Sequence, residues 1–191
     1  METAALISAF VTLFVIIDPI GLSPLFAALT TGMSPARRRG IAIRACLVAI
    51  GILMAFGLFG EALLGFVGIS MAAFKIAGGV LLFLTALDML FERRQERRED
   101  TAGEEIRADD PSVFPLALPL IAGPGSIATM ILLAGSADWA GYLAISGVMI
   151  AVIAVVFILF LAAPIFERLL GKTGINIVTR LLGMLLAALS V

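Results

Sequence analysis

Six windows of about 20 mostly apolar residues, each the length a helix needs to cross a bilayer, lie at 4–30, 40–62, 69–90, 112–134, 141–163 and 175–191 of the 191-residue chain. Hydrocarbon offers no partner to backbone N–H and C=O groups, so a chain patterned this way crosses as helices that satisfy their own backbone. Composition agrees. Hydrophobic residues make up 61% and charged residues 14%, whereas soluble domains run near half and a quarter. A water-soluble core of this size could not bury so much apolar surface. The expected fold is all-α and membrane-embedded, with the lipid bilayer as the main partner.

The same composition excludes several function classes. Histidine is absent and Cys46, inside an apolar run, is the one cysteine, which removes disulfides, His/Cys zinc sites and Cys–His nucleophiles. Cys46 reads as a small buried hydrophobe. No basic cluster with interleaved aromatics points to nucleic acid. Gly171-Lys172-Thr173 resembles the end of a phosphate-binding loop, but Phe166 stands where the earlier glycine is required. No nucleophile–base or carboxylate pair stands out, so neither enzymatic activity nor a cofactor or metal is expected. Met1-Glu2-Thr3 lacks the basic residues of a cleaved signal, so the first segment is expected to be retained.

Two of the windows are interrupted. In Asp18-Pro19-Ile20-Gly21-Leu22-Ser23-Pro24, Pro19 lacks the N–H that would bond the carbonyl of Val15. In Ile121-Ala122-Gly123-Pro124-Gly125-Ser126, Pro124 frees the carbonyl of Leu120 in the same way. Proline suits the first position of a helix, and aspartate the cap before it. Each motif therefore reads as one half-helix ending and another beginning, with free N–H groups at Ile20, Gly21 and Leu22, or at Gly125, Ser126 and Ile127. Such ends attract anions, and freed carbonyls suit an ammonium group. A small zwitterion carries both charges, and the glycines let backbone approach it closely. The alternative is a proline kink whose carbonyls are satisfied by Ser and Thr neighbours.

Shifting the chain by 105 residues places Pro19 on Pro124, Gly21 on Ser126, Lys75 on Arg180 and Gly78 on Gly183. Both breaks then fall in the first span of a three-span half, and both in-membrane cations near the start of the third. Three is odd, so the second half enters the membrane from the opposite side. Inverted repeats with broken helices are a transporter signature. The expected architecture is thus six transmembrane helices in two inverted three-helix repeats, 1–91 and 112–191, with the first and fourth helices broken.

The remaining charges refine this reading. Asp18 lies about 14 residues into its span, roughly 21 Å at 1.5 Å per residue, and a charge that deep is usually paired or functional. Its open roles are helix cap, ammonium ligand or carrier of a coupling proton. Sodium at freed carbonyls is the alternative coupling ion. Lys75 and Arg180 read as structural counter-charges, while Arg44, Glu61 and Asp88 lie near span ends and can snorkel. Residues 92–111 form a charged loop with five arginines and eight acids between Glu92 and Asp110. It reads as solvated, with a helical extension of the third span, or as a regulatory or docking loop.

The two proline–glycine motifs, with Pro115-Leu116-Ala117-Leu118-Pro119 leading into the second, resemble the MarC family along essentially the whole chain. That resemblance implies a cytoplasmic-membrane (inner-membrane) protein of six spans, related to small neutral amino acid transporters of the SnatA type that carry glycine and alanine. The family name derives from an antibiotic-resistance locus, and most members have no assigned substrate. Residues implied to line the site are Asp18, Pro19, Gly21, Gly123, Pro124, Gly125 and Ser126. Relatives continue their sixth span further. The 105-residue offset likewise carries the partner of Phe91 to about position 196, so the chain is expected to extend past Val191.

The sequence therefore points to a secondary transporter of a small neutral solute, of the small-amino-acid type. Its rivals are an exporter of amino acids or toxic compounds and a non-transporting scaffold that binds partners through 92–110. Orientation follows from the positive-inside rule. Arg37, Arg38 and Arg39, then Arg93, Arg94, Arg97, Arg98 and Arg107, then Arg168 and Lys172 follow the first, third and fifth spans; the loops after the second and fourth carry no basic residue. Both termini are then expected outside the cytoplasm. With single cysteines in a Cys46→Ala background, an impermeant reagent added to intact cells should label positions 65 and 138 and spare 38 and 97. Labelling at 97 reverses the orientation.

Overall fold

Helix α1 (Thr3–Ile17) ends and α2 (Pro19–Leu29) begins on either side of Asp18, which adopts the left-handed conformation, φ 55° and ψ 65°. Aspartate is one of the few non-glycine residues at home there. In the computed structural model the described residues are 3–94, 97–98, 110–135 and 137–191, with the side chains of Pro164, Phe166, Glu167, Arg168 and Lys172 also outside the description. Arg107 and the body of the charged loop lie outside the described residues.

The next helices start on local signals. Helix α3 (Pro35–Val67) opens with Pro35 at its first position and the Ser34 hydroxyl accepting from Arg37 N, and closes at Gly68, φ 82°. Helix α4 (Met71–Leu90) opens on Ser70, whose hydroxyl accepts from Ala73 N at 3.2 Å. Past Phe91 the chain turns at Glu92, another left-handed residue, φ 62°. The fourth window is broken as its prolines require. Phe114 and Leu118, each before a proline, are extended within Ser112–Ile121, and both following peptide bonds are cis. That segment meets helix α5 (Pro124–Ala134) at a bend of 59°. Helix α6 then runs from Trp139 to Leu189, with Gly171 (φ 60°, ψ 176°) the non-helical residue inside it.

The expected window limits therefore shift in two places. Helix α3, at 33 residues, overruns its 40–62 window at both ends. The fifth and sixth windows are joined by helical backbone broken at Gly171. Among the described residues, by length and composition four helices can cross a membrane, at Thr3–Leu29, Pro35–Val67, Met71–Leu90 and Trp139–Ala163; the bent pair, counted as one span, makes five. Thr173–Leu189 is apolar but shorter. No strand occurs among the described residues.

Helices in lipid gain little from hydrophobic exclusion and associate through close packing and hydrogen bonds. Here glycines set the approach. A Cβ on Gly60 of α3 would stand 2.4 Å from Ile131 Cγ1 of α5, and one on Gly183 of α6 would stand 2.8 Å from Met89 Cβ of α4. Helix α2 lies on the first limb of α6, where Phe26 and Phe160 stack at 4.3 Å and Ser23 Oγ donates to Leu159 O at 3.0 Å. One core joins Leu13, Phe26, Leu53, Ile121, Met130 and Phe160; a second joins Val15, Ile16, Leu82, Met89 and Leu186 beside the first break. Cys46 is buried in the first core. Leu47, Phe66, Ile76 and Ile158 cover the outside, a surface suited to lipid and not to water.

Gly147 lies on the exposed face of α6 with open space where its Cβ would stand. Gly147→Ala should leave stability unchanged or raise it by about 0.5–1 kcal/mol through helix propensity, while Gly183→Ala should lower it by about 1–3 kcal/mol through overpacking. Thermal unfolding of the purified protein in detergent measures both. Equal effects would mean that α4 and the last limb of α6 do not pack as described.

Candidate functional site

Asp18 is fully buried and meets three requirements at once. Its left-handed backbone turns the chain, its Oδ1 accepts from Gly21 N at 3.1 Å to cap α2, and its Oδ2 faces Arg98 Nη1 at 2.9 Å. Arg98 is itself only 6% exposed. Its second nitrogen donates to Ile17 O at 3.1 Å, and Arg94 donates to Ile16 O. The carbonyl ends left at the close of α1 are therefore taken up by two arginines from beyond α4. Burial lowers the pKa of both; Arg94 falls to about 9, its neighbour Arg98 adding to the shift, and Asp18 partly restores Arg98. Arg94 remains a cation at neutral pH.

Arg94 and Arg98 depart from the reading of residues 92–111 as solvated, while residues 95–96 and 99–109 lie outside the described residues. The start of that stretch turns back under the first break, where Arg94 and Arg98 both face the end of α1. Two more exposed contacts hold it. Arg97 pairs with Asp88 at 2.7 Å, and Glu92 with Arg180 at 2.7 Å. At the far end of the loop Asp110 pairs with Arg44, and hydrogen bonding from Ser112 holds its carboxyl below the usual range.

The second break is satisfied locally. Ser126 Oγ lies 2.8 Å from Ile121 O and 3.0 Å from Gly123 O, and Ile127 N donates to Gly123 O. The carbonyls engaged by side chains at the breaks are thus those of Ile16, Ile17, Ile121 and Gly123, one to three residues past the expected Val15 and Leu120. Gly21 N and Leu22 N are taken by Asp18, and Ile127 N by Gly123. The residue before α5, Gly123, provides no side-chain cap for the amides of Gly125 and Ser126.

A cavity of about 280 Å³ opens where the two breaks meet, lined by Ile16, by Pro119, Ile121, Gly123, Pro124, Gly125 and Ser126, by Leu81, Thr85 and Asp88 of α4, and by Arg94, Arg97 and Arg98. The breaks touch directly: a Cβ on Gly125 would stand 3.3 Å from Ile16 Cγ2. Of the residues singled out from sequence, Gly123, Pro124, Gly125 and Ser126 line the cavity. Asp18 is reached through Arg98, and Pro19 and Gly21 are buried in the start of α2. A Cβ on Gly123 would come within 2.5 Å of Pro119 O, so that glycine serves the backbone turn first. Lys75 is exposed on the first turns of α4, away from the cavity lining, and Arg180 meets Glu92. Sequence reasoning missed Arg94 and Arg98. Their i, i+4 spacing close behind a span, with a deep carboxylate needing a partner, was the available signal.

An all-helical chain with membrane-length apolar helices and polar groups gathered at two helix breaks defines an integral membrane protein. The chain belongs to the MarC family of integral membrane proteins, whose family model matches residues 3–191. It is 40% identical to the UPF0056 membrane protein MJ1677 of Methanocaldococcus jannaschii, over 100% of this chain and 94% of that protein. It is 37% identical to the UPF0056 membrane protein YvbG of Bacillus subtilis, over 100% and 92% of the two chains. The UPF0056 inner membrane protein YhgN of Escherichia coli K12 is 35% identical, over 97% and 91%. No solved structure matches the chain.

Removing one partner of a buried ion pair strands the other, at a cost of about 3–5 kcal/mol, whereas neutralising both costs far less. Arg98→Ala should therefore lower the melting temperature of the purified protein sharply, and Asp18→Asn/Arg98→Met should regain most of the loss, since asparagine keeps the cap. A single and a double variant both as stable as the parent would show that the pair does not hold the break.

Proposed function

We propose that this protein is a secondary transporter of a small neutral solute bearing an ammonium and a carboxylate group, of the glycine and alanine type. The observation that carries the reading is the cavity between the two breaks. One wall is a helix N-terminus without a side-chain cap, at Gly125 and Ser126; the other carries Arg98, behind which lies the buried Asp18 carboxylate it pairs with. Donors and partial positive charge at a helix start suit a carboxylate, and a buried carboxylate beside chain-end carbonyls suits an ammonium group. The glycine at 125 keeps the gap narrow.

The architecture proposed with this function is six spans in two inverted halves, 1–91 and 112–191, joined by the charged segment 92–111. Element limits support it. Helices α2 (Pro19–Leu29) and α5 (Pro124–Ala134) both have 11 residues and begin on prolines 105 positions apart. With both termini outside, the segment after α4 is cytoplasmic, and the membrane is the inner membrane, as in the name of the Escherichia coli relative. Alternating access then moves one half against the other around the breaks. The scaffold reading draws least support, because Arg94 and Arg98 are turned toward the break and not outward.

Purified protein in liposomes should accumulate labelled glycine or alanine under an imposed proton or sodium gradient, the effective gradient identifying the coupling ion. Gly125→Val should reduce uptake to background while the protein still inserts and purifies, because its methyl groups enter a 3.3 Å contact with Ile16. Absence of flux of either amino acid under every gradient, or normal uptake by Gly125→Val, defeats the proposal.

A further inference from the structure

The cation-binding half of the proposed site is occupied by the protein itself. One guanidinium, that of Arg98, takes both Asp18 Oδ2 and Ile17 O, at 2.9 and 3.1 Å, while Arg94 takes the neighbouring Ile16 O. A primary ammonium group offers three donors, and one carboxylate oxygen plus two chain-end carbonyls is an acceptor set suited to it. Arg98 does not belong to a span. It comes from the segment that turns back at Glu92, φ 62°, and its partner has no other use for that oxygen, since Oδ1 already caps α2 through Gly21 N.

The attachment of the segment is unequal along its length. At its rim the Arg97–Asp88 pair leaves the arginine side chain 70% exposed, and the Arg180–Glu92 pair is about half exposed on both sides. Exposed pairs of this kind hold weakly and are screened by salt. The buried acceptors are reached by Arg98, at the Asp18 carboxylate and Ile17 O, and by Arg94, at Ile16 O. The buried grip of these two arginines thus rests largely on Asp18 Oδ2 and the Ile16 and Ile17 carbonyls, the acceptors a solute cation would compete for.

We infer that Arg98 is a tethered occupant of the ammonium subsite, so that Arg98, with Arg94 beside it, closes the cavity toward the cytoplasm until the cationic end of a solute displaces the guanidinium from Asp18. The displacement step rests on the solute-site reading above; the closure itself does not. It also sets a requirement on the solute. A carboxylate without an ammonium group finds its half of the site at α5 but cannot release Arg98.

Thr85 lines the cavity from α4, and its hydroxyl bonds only within its own helix, to Leu81 O. Thr85→Cys in a Cys46→Ala background is therefore a suitable reporter. Inside-out vesicles are treated with impermeant thiol reagents, one cationic and one anionic. Arg98→Ala should speed labelling by both reagents, by roughly tenfold or more, the change expected on losing one charge-assisted contact. Should Arg98→Ala fold poorly, Asp18→Asn/Arg98→Met, which strands neither charge, carries the comparison and should speed labelling equally. In the otherwise unchanged reporter, L-alanine should speed labelling and propionate should not. Unchanged rates in both variants would make Arg98 a fixed brace and overturn the proposal. Acceleration with the cationic reagent alone would reduce it to a change of local field and overturn it as well. Opening in the variants with no response to alanine would retain the closure and reject the solute reading on which displacement rests.

Discussion

A helix interrupted within an apolar layer leaves polar backbone with no water to bond it, and the arrangement of this protein follows from meeting that demand twice. Each unsatisfied group costs several kcal/mol in hydrocarbon. At the first break the carbonyls of Ile16 and Ile17 are met by Arg94 and Arg98, which must be delivered from beyond α4. At the second, Ser126 turns its hydroxyl back onto Ile121 O and Gly123 O. The first solution brings in charge and a distant segment. The second is local and neutral, and leaves the helix start at α5 open.

That asymmetry gives the cavity its character. If both breaks were sealed by their own serines, the space between them would be lined by apolar groups and closed backbone. Instead one wall carries Arg98, which holds the buried Asp18 carboxylate behind it, and the other carries amides that Gly123 cannot cap. Close packing keeps the two walls in register. Ile16 belongs to the small core with Leu82, Met89 and Leu186, so the position of the first break is tied to α4 and to the last limb of α6. Ile121 belongs to the larger core with Phe26 and Phe160. Motion of one core against the other would change the width of the cavity directly, since Gly125 and Ile16 are the point of contact.

Much of this was legible in the sequence because it is local. Pro19 and Pro124 at first helical positions, Ser34 and Ser70 as caps, and the prolines at 115 and 119 act within a few residues, and each did what its chemistry dictates. The buried cysteine and the apolar windows followed from composition. What was not legible depends on long-range pairing. The arginines at 94 and 98 sit in a charge run, and their spacing alone does not say that Arg98 reaches a carboxylate 80 residues earlier and Arg94 the carbonyl of Ile16. Lys75 and Arg180 were the nearer candidates to balance Asp18 because they lie inside apolar windows, yet Lys75 is exposed and Arg180 meets Glu92.

The Asp18–Arg98 pair is also an inefficient way to stabilise a fold. Removing both charges from water costs several kcal/mol per ion, and packed neutral side chains of similar volume often do as well. The break itself needs less. Asparagine would cap Gly21 N, and the backbone carbonyls would accept from an uncharged donor such as the serine used at the second break. A full negative charge at Asp18 therefore goes beyond what the local geometry requires, and so does a full positive charge brought from another segment to meet it. What a charged pair adds over a neutral one is an acceptor that a second cation can compete for. Stability explains why the pair is not broken in the closed arrangement; exchange of one cation for another explains why it is charged.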